Sequence, residues 1–212
     1  MYKIKVCLPF YKDYETAWSG LNELEACTEH EFVIREIHGT DIGRTRNALP
    51  NDGISQEKHQ KIQGGFTHIL DVDSDIGFTL DDVLVMLKHD KDIVGLPYLR
   101  QADKTNTEYE CHRFTKGLVG NIDSYYNIHD KGLQEVPSQG NGMRLSKVHV
   151  YEKMEYPWYR QRLISNGTIQ DLCAVDIGFS LGARFVGFKQ YCDFDRAVYH
   201  KKRTLESFNW RK

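Results

Sequence analysis

Residues Lys3 to Pro9 alternate polar and apolar side chains and run into Pro9-Phe10, a pattern that predicts a strand ending at a loop. Asp13 is placed to cap a helix carrying Ala17, Trp18, Leu21 and Leu24 at helical spacing, to about Cys27. Glu31 to Ile37 alternates again and predicts a second strand. Gly39 to Gly53, rich in Gly, Asn, Asp and Pro, reads as a loop, followed by a helix from Ser55 to Gln63 that Gly64-Gly65 stop. Phe66 to Val72 is a third strand and Asp73 to Phe78 a loop. Thr79-Leu80-Asp81-Asp82 has the form of a capping box, opening a helix with Leu80, Val83, Leu84 and Leu87 on one face. Asp92 to Leu96 is a further buried strand.

Strands alternating with helices in this order imply right-handed crossovers and an α/β fold with a mostly parallel sheet. Ligands of such sheets sit at the carboxyl ends of strands. Arg100 to Pro137 is polar and weakly periodic and reads as irregular excursions with short strands. Order returns at Gly140-Asn141-Gly142, after which Ser146 is placed to cap a helix through Met154. Asp176 to Val186 predicts another helix, ended by Gly187, then strands at Phe188 to Cys192 and Ala197 to His200.

Composition narrows the picture without naming a function. The chain has 212 residues, 40% of them apolar and 12% aromatic, enough for a real core. Lys and Arg number 28 against 30 Asp and Glu, a net charge of -2, so no global field draws the protein to nucleic acid or anionic lipid. The basic residues His200 to Arg203 read as a solvated tail. Five cysteines without close pairing read as reduced, mostly buried thiols. With no signal-like stretch or membrane span, the expectation is a protein of the cytoplasm, the host's if viral.

The chemistry is concentrated in Asp71-Val72-Asp73-Ser74-Asp75. Alternate side chains of an extended chain share a face, so Asp73 and Asp75 can converge on one cation. Acidic oxygens without cysteine select a hard ion, magnesium or manganese, of the kind that holds substrate phosphates. The bland alternative is a solvated acidic turn. Another is a magnesium-dependent phosphohydrolase of the dehalogenase type, with Asp71 as nucleophile and Asp73 as acid, although no Gly-Thr follows the pair.

Thr67 to Phe78 resembles the Asp-x-Asp region of nucleotide-sugar glycosyltransferases with the GT-A fold. Asp41-Ile42-Gly43-Arg44-Thr45-Arg46-Asn47 resembles their polar stretch beside the nucleotide, and Gly140 to Leu145 the glycine segment lining the sugar pocket. Val175-Asp176-Ile177-Gly178-Phe179 resembles the acidic motif beside the reacting sugar, although many relatives carry a second acid at the place of Val175. His200 resembles the late histidine of the metal site. Taken whole, the chain is most similar to the N-terminal glycosyltransferase domain of chlorella-virus proteins that glycosylate the major capsid protein.

The resemblance implies a single GT-A (Rossmann-like) domain over 1–212, with a central mostly parallel mixed sheet flanked by helices. It implies a nucleotide-binding half over 1–99 and an acceptor half over 100–212, within a larger polypeptide. It further implies a UDP-sugar donor carrying a hexose or deoxyhexose such as rhamnose, a glycan or glycoprotein acceptor, and manganese or magnesium. Asp75 and His200 would hold the metal, with Asp73 bridging metal and ribose. Pro9, Phe10, Tyr11, Asp41, Arg44, Arg46, Asp73, Ser74, Gly140, Asn141 and Gly142 would line the donor.

Several of these residues carry alternatives. Arg44 and Arg46 either pair with the diphosphate or uracil or sit on the surface. Phe10 or Tyr11 would stack on the base. Asp176 would act as base in an inverting reaction, orient the sugar or acceptor in a retaining one, or merely cap a helix. Trp158 and Tyr159, with Arg160 and Arg162, either meet an acceptor sugar or pack at a domain edge. A nucleotide-sugar-binding module without turnover also stays open. Nucleic acid as acceptor is disfavoured by the lack of a large basic face.

Overall fold

The computed structural model describes residues 1–10, 16–39, 41–51, 62–100, 107–113, 125–165 and 170–201. Tyr11, Asp13 and most of the helix expected over Ser55 to Gln63 lie outside the described residues. In chain order the elements are β1 (Lys3–Phe10), α1 (Trp18–Glu25), β2 (Glu31–His38), α2 (Ile42–Ala48), β3 (His68–Val72), β4 (Ile76–Gly77) and α3 (Leu80–Lys88). Then come β5 (Ile93–Gly95), β6 (Glu108–His112), β7 (Tyr125–Asn127), β8 (Leu133–Val136), β9 (Met143–Lys147) and α4 (Val148–Lys153). The series closes with β10 (Leu163–Ser165), β11 (Gln170–Leu172), α5 (Val175–Phe185), β12 (Gln190–Asp193) and β13 (Tyr199–His200).

Among the described residues, seven strands form one sheet in the order β2-β1-β3-β9-β5-β12-β8. β2, β1 and β3 are mutually parallel, and β5 is parallel to β12. β9 runs antiparallel between β3 and β5, so those two point the same way, and β8 closes one edge antiparallel to β12. The sheet is therefore mixed and mostly parallel, with helices on both faces.

Burial follows from this layering. Ile4, Val6 and Leu8 of β1 face one layer with Leu21 and Leu24 of α1 and Val83 and Met86 of α3. Cys7 and Ile69 face the other, with Tyr151 of α4 and Phe179 and Ala183 of α5. The polar-apolar alternation of β1 does not mark a solvent face. Lys5 is fully buried, donating from Nζ to Pro50 O at 2.9 Å with the Phe66 ring 5.1 Å away. All five cysteines are free thiols, and all but the half-buried Cys27 are buried.

Two expected elements differ. The glycine-rich stretch after β2 is not all loop. Asp41 caps α2, its carboxylate accepting from Arg44 N at 3.0 Å, and a 3-10 turn at Leu49–Asn51 extends it. Gly43 serves this helix by closeness rather than flexibility, since an added Cβ would lie 3.2 Å from Val175 Cγ1. Second, Ser146 caps no helix. It lies fully buried inside β9, and Lys147 precedes α4 without a side-chain cap. Ladder bonds to strands on both sides outweigh the local capping signal. The Thr79 capping box forms as expected, with Thr79 Oγ1 and the Asp82 carboxylate bonded reciprocally to backbone N–H groups.

Candidate functional site

β1, β3 and β5 all end on one edge of the sheet, and β9 begins there. Asp73 leaves β3 into a tight turn in which Ile76 N donates to Asp73 O at 3.0 Å. The expected extended chain thus gives way to a turn, and Asp73 and Asp75 meet different partners. Asp73 pairs with the Arg46 guanidinium, which α2 delivers from its last turn. Its backbone N donates to Gly142 O at 3.0 Å, tying the glycine segment to the β3 turn. Burial lifts the Asp73 carboxyl above its usual range, with Arg46 pulling the other way and Asp75 adding to the rise.

Asp75 faces His200, with Oδ2 at 3.2 Å from Nε2. The short ladder between β4 and β13 sets this pair, and Lys201 N donates to Asp75 O at 2.8 Å. The other ring nitrogen, Nδ1, lies 2.9 Å from Leu99 O. A carbonyl only accepts, so Nδ1 carries a proton and Nε2 is the nitrogen turned towards the Asp75 carboxylate. With Nε2 unprotonated, that nitrogen and the Asp75 carboxylate offer lone pairs to one cation. This donor set fits a hard divalent ion, and backbone-fixed imidazole is how a protein orients such a ligand. Among the described residues, no three His, Cys, Asp or Glu side chains already converge as a complete cation site.

The two arginines separate cleanly. Arg44 is exposed. Arg46 is 4% exposed, and its Nη1 has no hydrogen-bond partner. Burial alone would lower its pKa, but the Asp73 and Asp71 carboxylates more than offset this and hold it cationic. Asn47 anchors the helix by a two-way bond to Tyr159: Nδ2 donates to Tyr159 O at 2.6 Å and Tyr159 N donates to Oδ1 at 2.9 Å.

Asp176 lies in the first turn of α5, where Ala174 is the N-cap, so Asp176 is not the cap residue. Its Oδ1 accepts from Ile177 N at 2.8 Å, and its charge reaches both Arg46 and Tyr98. Gly178 lets α5 touch the preceding segment, because a Cβ there would lie 1.8 Å from Arg160 O. Phe10 reaches the same sheet edge with its ring 4.2 Å from His38, Pro9 is buried beside it in the chain, and Ser74, following Asp73, is also buried.

Three residues on this edge escaped the sequence reading. Tyr98, just beyond β5, is 7% exposed with its ring edge-on to His200 at 5.0 Å. Glu110 of β6 lies beside it. Gly140 and Gly142 are glycine because Tyr98 occupies the space, a Cβ falling 2.0 Å and 2.5 Å from its atoms. The third is Arg144, which together with Tyr151 and Tyr159 claims Asp71. Asp71 is 1% exposed, and its Oδ2 accepts from Arg144 Nη2 at 3.0 Å, Tyr151 OH at 3.0 Å and Tyr159 OH at 2.7 Å. A carboxylate so enclosed cannot attack a phosphate, which removes the dehalogenase reading. Trp158 and Tyr159, each 2% exposed, are core residues rather than an acceptor platform.

No protein-family profile and no curated relative matches the chain. Solved structures do. A197 from STIV superposes with a TM-score of 0.57 at 13% identity, covering 100% of both chains. GalNAc-T7, solved with UDP, GalNAc and Mn2+, gives 0.55 at 8% identity over 95% of this chain and 44% of its own. The catalytic domain of Drosophila beta1,4galactosyltransferase 7, in complex with xylobiose, gives 0.52 at 14% identity over 99% and 77%. The fold is that of the GT-A glycosyltransferases.

Proposed function

We propose that this protein is a divalent-metal-dependent glycosyltransferase that moves a sugar from UDP to a glycan or glycoprotein acceptor. The observation that carries this reading is the arrangement on one sheet edge of a GT-A fold: Asp73 with Arg46, Asp75 with His200, and the glycine segment beside the head of α5. Asp75 and His200 are assigned as metal ligands, with Asp73 bridging metal and ribose. Manganese or magnesium, when bound, would act as a Lewis acid on the diphosphate as it gains charge.

The chain's own residues do the rest. Arg46, whose Nη1 is otherwise unpartnered, supplies a fixed cation beside the departing diphosphate. Gly140, Asn141 and Gly142 bring backbone close to the sugar. Asp176 accepts the proton of the attacking hydroxyl if the anomeric centre inverts, and orients the sugar if it is retained. By the resemblance to capsid-glycosylating transferases, the sugar is a hexose or deoxyhexose such as rhamnose and the acceptor a viral capsid glycan, built in the host cytoplasm. Among the described residues no helix is long and apolar enough to cross a membrane.

Calorimetric titration of UDP, GDP and CMP, each with and without manganese, tests the reading. UDP alone should bind, and only with metal. Binding of none of the three, or equal binding of all without metal, would overturn it.

A further inference from the structure

We infer that Tyr98, together with Glu110, reads a hydroxyl of the transferred sugar, so that the site takes an uncharged sugar and rejects one bearing a carboxylate. The inference rests on the glycosyltransferase reading and says which class of donor that site accepts.

The first observation is the phenol itself. Gly142 N donates to Tyr98 OH at 3.3 Å, which fixes the oxygen as an acceptor. Among the described residues no acceptor takes the proton of this hydroxyl, which belongs to a residue only 7% exposed. A buried donor without an acceptor is costly in an isolated protein and is satisfied when a ligand supplies one. Asn141, in the turn between the two glycines, is 2% exposed, and both ends of its amide lack partners.

The second observation is the charge around the phenol. Glu110 N donates to Tyr98 O at 2.9 Å and Gly140 N to Glu110 O at 2.8 Å, which stitches the three segments together. A Cβ on Gly140 would lie 2.8 Å from Glu110 Cγ, so the carboxylate stem and the Tyr98 phenol press against the same glycine. Arg100 Nε lies 3.5 Å from Glu110 Oε2, and a carboxylate has lone pairs for further donors. A hydroxyl group is both acceptor and donor: it can accept from Tyr98 and donate to Glu110. A sugar carboxylate can only accept. It would meet the Glu110 charge at the point where a hydroxyl can donate a hydrogen bond instead.

The test is calorimetry in manganese with UDP, UDP-glucose, UDP-galactose and UDP-glucuronic acid, on the wild type, Tyr98→Phe and Glu110→Gln. The wild type should bind at least one of the neutral donors more tightly than UDP, and UDP-glucuronic acid less tightly than that donor. Tyr98→Phe should weaken the neutral donor roughly five- to tenfold, the loss of one hydrogen bond, while UDP shifts by less than about twofold. Glu110→Gln should narrow the gap between neutral and acidic donors. An unchanged Tyr98→Phe profile, an equal loss for UDP and its sugars, or glucuronic acid binding as well as the neutral sugars would each overturn the inference. Wild-type protein that binds no UDP at all would instead remove the glycosyltransferase reading beneath it.

Discussion

Asp71 and Asp75 are four residues apart on the same strand-turn segment, are the same residue type, and do opposite things. Asp71 is 1% exposed and holds Arg144, Tyr151 and Tyr159, with the Arg144 guanidinium also stacked on Phe179 at 3.7 Å. Asp75 has a side chain 41% exposed and faces a single imidazole. Asp73 stands between them in position and in character, paired with Arg46 yet open to the site edge. What separates them is the neighbouring element. α4 and the segment through Tyr159 close over Asp71, whereas β13 crosses beside Asp75. A carboxylate surrounded by matched donors is a structural anchor; one that shares a single acceptor with a histidine is poised for a cation.

The comparison breaks if substitutions at the two positions behave alike. Asp71→Ala leaves Arg144 buried without its counter-charge and should cost about 3–5 kcal/mol of stability, read from urea unfolding. Asp75→Ala should leave the unfolding midpoint nearly unmoved, because an exposed pair contributes no more than about 1 kcal/mol, yet it should abolish manganese-dependent UDP binding. Normal metal-dependent binding in Asp75→Ala would strip that residue of its assigned role.

The amino end of β3 sharpens the contrast. His68 is 6% exposed, and burial next to Lys147 lowers its pKa to about 4 from an unfolded value near 6.5. The folded state therefore holds His68 neutral, and the unfolded chain binds the proton first. Its contribution is complete above pH 6.5 and is lost as the pH falls towards 4. The stability of wild type relative to His68→Asn should fall by roughly 2–3 kcal/mol between pH 7.5 and pH 4.5. A pH-independent difference would mean that His68 is not held neutral.

The smallest expected effect is at Thr79, whose capping box starts α3 directly after the β3 turn and β4. Thr79→Ala should cost about 1 kcal/mol in urea unfolding and leave UDP binding intact. Weakened UDP binding would show that the cap also holds the Asp75 turn in place.

Much of this was legible along the chain. The strand periods, the Thr79 capping box, the Gly187 helix stop with its φ of +93° and the acidic strand end are all local signals. Even the α2 cap was written in Asp41, although the surrounding glycine and proline content masked it. Tyr98 and Glu110 were not legible. Glu110 sits in polar, weakly periodic sequence and Tyr98 just before it, and their meaning lies in two glycines at least thirty positions further on. The glycines gave the available hint, since a Gly-x-Gly that needs no positive φ calls for a bulky neighbour. Arg44 and Arg46 could not be told apart without knowing which face of α2 meets the sheet.

The sequence by itself determined the periods, the caps and the stock of chemistry: an apolar strand ending in three alternating aspartates, an α/β order and a late histidine. Those properties depend on residues within about a turn of one another. The tertiary structure alone decided that β9 enters between β3 and β5, which aspartate is buried, which arginine is cationic inside the site, and that Tyr98 fills the space the glycines leave. Those outcomes depend on contacts between segments tens of residues apart, where packing and desolvation choose among partners that local propensity cannot rank.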